Sequence, residues 1–199
     1  RANPPFDYVV GNPPWVRWGY LSDEYREATK KLWANYGLFS LKGMAARLGG
    51  GEKDFSMLFV YACADYYLRE GGRLGFVITQ EVFKAKGAGE GFRRFRLGEE
   101  GAYLRVLKAG DLVSVKPFEN AANKTATIIL EKGSETSYPV PYTVWQRIKG
   151  VGNIDTATSL GDVLTLTTRE ELGASPVENK TSAWQTTSKG EGNSLIKVK

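Results

Sequence analysis

Apolar and polar positions alternate along the first 132 residues in a way that predicts strands followed by helices. An apolar run at 6–11 ends at a glycine and an Asn-Pro-Pro turn, the pattern of a buried strand. Residues 22–37 predict a helix, because Ser22 can cap its start, acids fill its first turn and Gly37 can close it. A mainly apolar stretch after Asp54 predicts a second helix, with Asp54 as its cap.

The second helix is expected to end at Gly71-Gly72, where a continuous apolar strand follows at 73–79. The remaining predicted elements are a glycine-rich loop, a basic helix and two strands, at 41–53, 87–100, 102–110 and 124–132. This alternation of strands and helices predicts an α/β fold with a mostly parallel sheet.

The pattern changes after Gly133. Residues 134–199 are rich in Thr, Ser and Gly and show no long apolar periodicity. We therefore expect one domain over residues 1–133, and a linker with the start of another module over residues 134–199.

The composition is that of an ordinary soluble globular protein, with 199 residues, 42% of them hydrophobic and 25% charged. No apolar run approaches the roughly 18 residues that span a bilayer, and no signal peptide opens the sequence, so we expect no membrane segment. The single cysteine, Cys63, excludes an internal disulfide and fits the reducing cytoplasm.

The sequence contains no histidine. This excludes Ser-His and Cys-His nucleophile pairs and makes a catalytic zinc site improbable, so we expect no metal. The formal charge of +5 is a weak indication of a polyanionic partner.

Asn-Pro-Pro-aromatic occurs twice, at 3–6 and at 12–15. Asn12 follows the first predicted strand, so it lies at the end of the sheet where open α/β folds place their ligands. Asn3 precedes that strand and lies at the opposite end. The second copy, Asn12-Pro13-Pro14-Trp15, is therefore the candidate catalytic segment.

The chemistry that suits this segment is methylation of an amide-like exocyclic nitrogen such as adenine N6. Its lone pair is delocalised into the ring, and two acceptors aimed at its hydrogens would free that lone pair. Asn12 Oδ1 can be one acceptor and the Pro13 carbonyl the other, since proline fixes φ and carries no competing N–H. The ring of Trp15 offers a face on which a planar base can stack.

On these residues the chain resembles the adenine-N6 DNA methyltransferases with an [Asn/Asp/Ser]-Pro-Pro-aromatic motif, and within them the large bacterial restriction–modification enzymes. "DYVVGNPPWVRW" is similar to the catalytic motif and its strand. "DFSMLFVYACADYYLREGGRLGFVITQEVF", "GEGFRRFRL" and "GDLVSVKPFENAANKTATIILEK" resemble the segments that follow it. "TQEVF" departs from the family pattern, which reads Pro-Asn-Ser-Phe at that point. The resemblance covers roughly two-thirds of the chain.

The resemblance implies a Rossmann-like class I methyltransferase fold, S-adenosylmethionine as methyl donor and double-stranded DNA as substrate. The target adenine would be flipped from the duplex and stacked between Trp15 and Phe118. Residues 134–199 would begin a target-recognition domain.

In this family a glycine-rich loop and an acid that bind the donor lie upstream of the catalytic motif, where this sequence has only eleven residues before Asn12. We therefore expect the C-terminal half of a methyltransferase sheet, in a partial catalytic domain over residues 1–133. The donor site would lie in a missing remainder of the enzyme, which is the expected partner of this fragment. Such a sheet would expose an unpaired edge.

Basic side chains concentrate between Lys84 and Lys108, where seven bases face three acids. Their charge is consistent with contacts to DNA phosphates, although a solvated helix face is the commoner explanation for such a run. The candidate DNA-binding residues are Arg17, Lys84, Lys86, Arg93 and Arg94.

Other functions share the same features. The chemistry at Asn12 would serve methylation of a protein glutamine or of an RNA base. A non-catalytic nucleic-acid-binding or assembly fragment could also retain the fold.

Overall fold

The computed structural model describes residues 5–39, 54–85, 88–118, 122–151 and 154–188. Three sequence predictions fall outside these residues: the Asn3-Pro4 copy of the motif, the loop at 41–53, and Lys86. The described strands, β1 to β7, are Phe6–Gly11, Leu68–Thr79, Leu104–Asp111, Thr125–Lys132, Val140–Arg147, Thr167–Pro176 and Trp184–Ser188. The described helices, α1 to α5, are Asp23–Asn35, Phe55–Tyr66, Glu81–Lys84, Ala88–Phe92 and Leu160–Leu166.

The seven strands form one mixed sheet in the order β1-β2-β4-β3-β5-β6-β7. Only the pairs β1–β2 and β3–β5 are parallel, and the other four pairs are antiparallel. The prediction of a mostly parallel sheet is therefore wrong. The connection from β3 to β4 has no crossover helix in its described residues, so β4 runs antiparallel to both of its neighbours.

The first two helices begin at the predicted residues. The side chain of Ser22 accepts a hydrogen bond from the Tyr25 amide, and Gly37, just beyond α1, has a φ of +65°. The carboxylate of Asp54 accepts from the Ser56 amide at 2.8 Å.

Helix α2 ends at Tyr66, before the predicted Gly71-Gly72, because the residues from Leu68 onward join β2. The amine of Lys132, a buried side chain, donates to the carbonyls of Ala64, Asp65 and Leu68 at 2.9–3.3 Å. A cation at this end of a helix stabilises carbonyls that have no partner within the helix.

One hydrophobic core extends from α2 and β2 into the last strands. Leu74 and Ile78 of β2 are fully buried in it, and so are Val140 and Ala174 of β5 and β6. Sheet and core are thus continuous across the predicted boundary near Gly133. The assignment of residues 134–199 to a linker and a separate module stays a prediction.

Strand β1 pairs with β2 on one side and with no described strand on the other. On one of its faces Phe6, Tyr8 and Val10 are 53%, 70% and 81% exposed. Among the described residues, no helix is long and apolar enough to cross a membrane.

Candidate functional site

The Asn-Pro-Pro-Trp segment begins directly after β1, at the edge of the sheet where β1, β2, β3 and β5 end. We call this the carboxyl edge. The last residue pair between the parallel strands is Gly11 with Phe76, and Asn12 is the next residue. Asn12 is exposed and Pro13 is buried. The segment therefore presents a solvent-facing amide side chain on a backbone that two prolines stiffen.

Three contacts fix the residues that follow. The indole Nε1 of Trp15 donates to the carbonyl of Val77 on β2 at 3.2 Å. The amide of Phe55, the first residue of α2, donates to the carbonyl of Val16 at 2.8 Å. The ring of Trp18 packs edge-on against that of Trp33, with centroids 5.2 Å apart. The segment is thus held by β2, by α2 and by the aromatic core.

Asp54 lies between these contacts. It is buried, its backbone forms a bridge with Arg17, and its carboxylate caps α2. Burial is the main cause that raises the pKa of Asp54, while the hydrogen bonds at Ser56 act in the opposite direction. The cap predicted at Asp54 therefore also joins the start of α2 to the segment after the motif.

Trp15 and Phe118 are in direct contact. Their ring centroids are 5.3 Å apart and the ring planes are at 76°, so the edge of one ring meets the face of the other. A base placed between two parallel rings needs them about 7 Å apart, twice the roughly 3.4 Å spacing of stacked bases. In this arrangement the two rings form a corner, and they leave no slot for a base between them.

The loop that carries Phe118 starts at a buried polar network that the sequence did not indicate. Asp111 ends β3, and its carboxylate accepts hydrogen bonds from the Gln80 side chain, from the Tyr142 hydroxyl at 3.4 Å and from the Val113 amide at 2.9 Å. The backbone N–H of Gln80 donates to the carbonyl of Lys124 at 2.7 Å. Burial, followed by the Asp111 charge, raises the pKa of Tyr142. The network joins the ends of β2 and β3 to Tyr142, near the start of β5.

The sequence gives one signal for this network. A polar residue, Gln80, directly follows one apolar strand, and another, Asp111, ends the next. Gln80 lies in "TQEVF", where the family pattern differs, and Asp111 lies in "GDLV". Neither spacing identifies the partner, because the pairing of β3 with β5 decides which side chains meet.

The predicted DNA-binding residues that the structure describes differ in their exposure. Arg93 is 1% exposed, and its guanidinium donates to the carbonyls of Thr181, Val82 and Ala85, each at 2.8 Å. Each of its three nitrogens donates to a carbonyl and the side chain is buried, which argues against the predicted DNA contact of Arg93. Arg94 is half-buried and bonds the carbonyl of Gly98 and the carboxylate of Glu99. Arg17 and Lys84 are exposed near the carboxyl edge.

A methyl donor of the sulfonium nucleoside type needs acids and amides to hold its ribose and amino-acid parts. The two buried acids near the carboxyl edge are already engaged, Asp54 at the start of α2 and Asp111 in its network. We therefore assign none of the described residues to a site for that donor. Among them, no group of three Asp, Glu, Cys or His side chains could hold a metal ion.

The mixed α/β sheet of seven strands is similar in fold to the Rossmann-like domains of restriction–modification methyltransferases. The chain belongs to the Eco57I restriction-modification methylase family, whose family model matches residues 1–108. No curated protein sequence matches the chain.

Three solved structures illustrate the likeness in fold. A nuclease-deletion mutant of the Type ISP restriction–modification enzyme LlaGI, solved with a DNA substrate mimic, has a TM-score of 0.50 and 17% identity, covering 90% of this chain and 18% of its own. The M protein of the type I enzyme EcoKI has a TM-score of 0.47 and 15% identity, covering 95% and 41%. A type I methyltransferase subunit from Streptococcus thermophilus has a TM-score of 0.42 and 20% identity, covering 74% and 27%. The chain thus spans less than half the length of each.

Proposed function

We propose that this chain forms the base-binding part of an enzyme that methylates adenine N6 in double-stranded DNA, with S-adenosylmethionine as donor, in a restriction–modification system. One observation carries the proposal. The exposed Asn12, on a backbone stiffened by Pro13 and Pro14, follows the carboxyl end of β1 in the same segment as the Trp15 ring, which contacts Phe118. Family membership supports methyl transfer as the reaction class.

In the proposed mechanism, the residues of this chain act on the amine. Asn12 Oδ1 and the Pro13 carbonyl accept hydrogen bonds from the two N6–H groups. These bonds favour a tetrahedral nitrogen, whose lone pair is then localised. Because the acceptors are fixed before the base arrives, little energy is spent in orienting them during the reaction. S-adenosylmethionine supplies the electrophilic methyl group when it is bound, and we assign none of the described residues to its site.

The edge-to-face contact of Trp15 and Phe118 suggests how the base is oriented. A flipped adenine would stack on the free face of one ring, while the other ring borders its edge. The bond from Trp15 Nε1 to Val77 would hold this corner at a constant distance from Asn12, three residues earlier in the same segment. Base stacking of this kind is worth about 1–3 kcal/mol per base.

The test is methyl transfer from labelled S-adenosylmethionine to a duplex, by the full-length polypeptide that contains this chain. Asn12→Ala should lower the transfer rate by about 10²–10³, the effect of removing one pre-aligned polar group of this type. DNA affinity should stay within about twofold, because binding depends mainly on the phosphates. Asn12→Asp, which keeps an acceptor oxygen, is the matched control and should retain part of the activity. An Asn12→Ala enzyme with normal activity would show that the site is misassigned.

Two comparisons test the substrate and the extent of the enzyme. RNA and glutamine-containing peptides offered in the same assay should accept no methyl group, and transfer to either in preference to DNA would replace the proposed substrate. The 199 residues alone should show no transfer, because we assign none of the described residues to a donor site. Robust turnover by this chain alone would contradict that assignment.

A further inference from the structure

Besides Arg17 and Lys84, four exposed basic side chains lie at the carboxyl edge, after β3 and at the end of β5. They are Lys116 and Lys124 between β3 and β4, with Arg147 and Lys149 at the end of β5. We call these four residues the carboxyl-edge patch. The described acids in the connections after β3 and β5, where the patch lies, are fewer, namely Asp155 and Asp162, and Asp162 is engaged in capping α5.

The register of the strands places the patch at two heights along the strand direction. The pairing of β3 with β5 ends at Asp111 and Val144, so β5 continues three residues further, to Arg147. Three residues of strand are about 10 Å long. Strand β6 accompanies this extension, since Arg147 pairs with Thr167. The extension of β5 and β6 therefore rises beside the loop that carries Lys116, Phe118 and Lys124.

At the opposite edge of the sheet, several basic side chains form ion pairs within the chain. There Arg69 pairs with Asp7, Arg73 with Glu131, Arg94 with Glu99 and Lys180 with Glu135, at 2.5–3.4 Å. By contrast, Lys116, Lys124 and Lys149 have no ion-pair partner among the residues that the structure describes. The two edges thus differ in how many of their cations are already neutralised within the chain.

We propose that the carboxyl-edge patch binds backbone phosphates of the DNA on one side of the target adenine. This inference rests on the proposed function, because it takes the segment of Asn12 and Trp15 as the position of the flipped base. The DNA would lie along the carboxyl edge, beside the extension of β5 and β6. The basic run that the sequence singles out is not this surface, because Arg93 is buried and Arg94 pairs with Glu99.

The spacing of the sheet indicates which phosphates are involved. Four strand intervals separate β1 from β5, which is about 19 Å at the usual interval of about 4.8 Å. At a rise of about 3.4 Å per base pair, this distance corresponds to about six base pairs. Arg147 and Lys149 would therefore contact phosphates about half a helical turn from the flipped base, and Lys116 and Lys124 phosphates nearer to it.

The salt dependence of binding tests this assignment. We would measure the affinity of the chain for a fluorescent duplex by anisotropy between low and moderate salt. Each phosphate neutralised by the protein contributes about 0.9 to the slope of log affinity against log salt. Arg147→Gln with Lys149→Gln should reduce that slope by about 1 to 2 and weaken binding at low salt by about tenfold or more. The fluorescence change of 2-aminopurine at the target position, measured at saturating protein, should be unchanged.

The matched control is Arg69→Gln with Arg73→Gln, which removes the same charge at the opposite edge, from side chains that are 50% and 54% exposed. It should leave the slope unchanged. Equal losses in the two double variants would show that only net charge matters and would overturn the proposal. So would an unchanged slope in the patch variant, loss of RNA affinity without loss of DNA affinity, or absence of duplex binding by the unmodified chain. Urea unfolding of each variant confirms that it is folded.

The two proposals can fail separately. The patch variant could bind as the unmodified chain does while Asn12→Ala abolishes transfer in the full-length enzyme. The phosphate-binding proposal would then be wrong, and the catalytic assignment of Asn12 would be supported. If the slope falls as expected but Asn12→Ala remains active, the patch binds DNA and the catalytic assignment is wrong.

Discussion

Arg93 allows a direct test of whether a basic residue in the predicted DNA-binding run stabilises the fold or contacts DNA. We consider Arg93→Met, which keeps a long apolar stem and removes the guanidinium. Three carbonyls then lose their donor. The bond to Val82 is buried, so its carbonyl stays unsatisfied at a cost of about 1–3 kcal/mol. Thr181 and Ala85 are partly accessible, and water can replace their donor, so each loses about 0.5–1.5 kcal/mol.

The sum predicts that Arg93→Met lowers the free energy of unfolding by about 2–5 kcal/mol, since such contributions do not add fully. Urea denaturation followed by circular dichroism measures this directly. Arg93→Lys should recover part of the loss, because an ammonium can reach only some of the three carbonyls. Because Thr181 lies in the turn between β6 and β7, that turn should also exchange its amide hydrogens faster in the Met variant.

The same variant separates the structural role from a DNA contact. Under conditions where Arg93→Met is still folded, the salt slope of its DNA binding should equal that of the unmodified chain. A stability within about 0.5 kcal/mol of the unmodified chain, together with a slope lowered by about 0.9, would mean that Arg93 faces a phosphate. That result would refute the placement of Arg93 in the core.

Three further predictions concern the core and the catalytic segment. Lys132→Met, which removes three hydrogen bonds at the end of α2, should lower the free energy of unfolding by about 2–4 kcal/mol in urea, whereas the exposed Lys30→Met should change it by less than about 0.5. Asp54 has a pKa raised above its ordinary 3.8, so its contribution is fully present below that value and is lost as pH rises through the raised pKa. Asp54→Asn, which can still cap α2, should therefore gain stability relative to the unmodified chain over that pH range, and an unchanged difference in urea midpoints from acid to neutral pH would contradict this. Trp15→Phe keeps a flat ring but loses the bond to Val77, about 1 kcal/mol, and should weaken binding of a 2-aminopurine duplex about fivefold when the titration is followed by fluorescence; unchanged affinity would show that this bond does not order the site.

Local signals in the sequence predicted the parts of the fold that local interactions decide. Caps and glycines indicated α1 and the start of α2, and the Asn-Pro-Pro turn indicated the end of β1. Asn12 was assigned to the carboxyl end of a strand on the same grounds, and it lies there. The edge-to-face contact of Trp15 with Phe118 joins residues more than 100 positions apart, and only the fold decides its geometry.

The sequence patterns could not indicate contacts that depend on pairing between distant strands. The direction of β4 and the addition of β5 to β3 decide that Asp111 meets Tyr142. The burial of Arg93 depends on a carbonyl at Thr181, 88 residues away. A run of bases in the sequence gives no information on which of them find partners inside the protein, as Arg93 and Arg94 do.

The parallel pairing of β3 with β5 has a consequence for exchanging sequence between relatives. A chimaera that replaces everything after Gly133 would have to rebuild the main-chain pairs that join Ala109–Asp111 to Tyr142–Val144 and supply a new carbonyl for Arg93. An exchange made after Ser188 would leave both intact. Grafting of new sequence specificity onto this scaffold should therefore tolerate a junction after β7 far better than one at the change in composition.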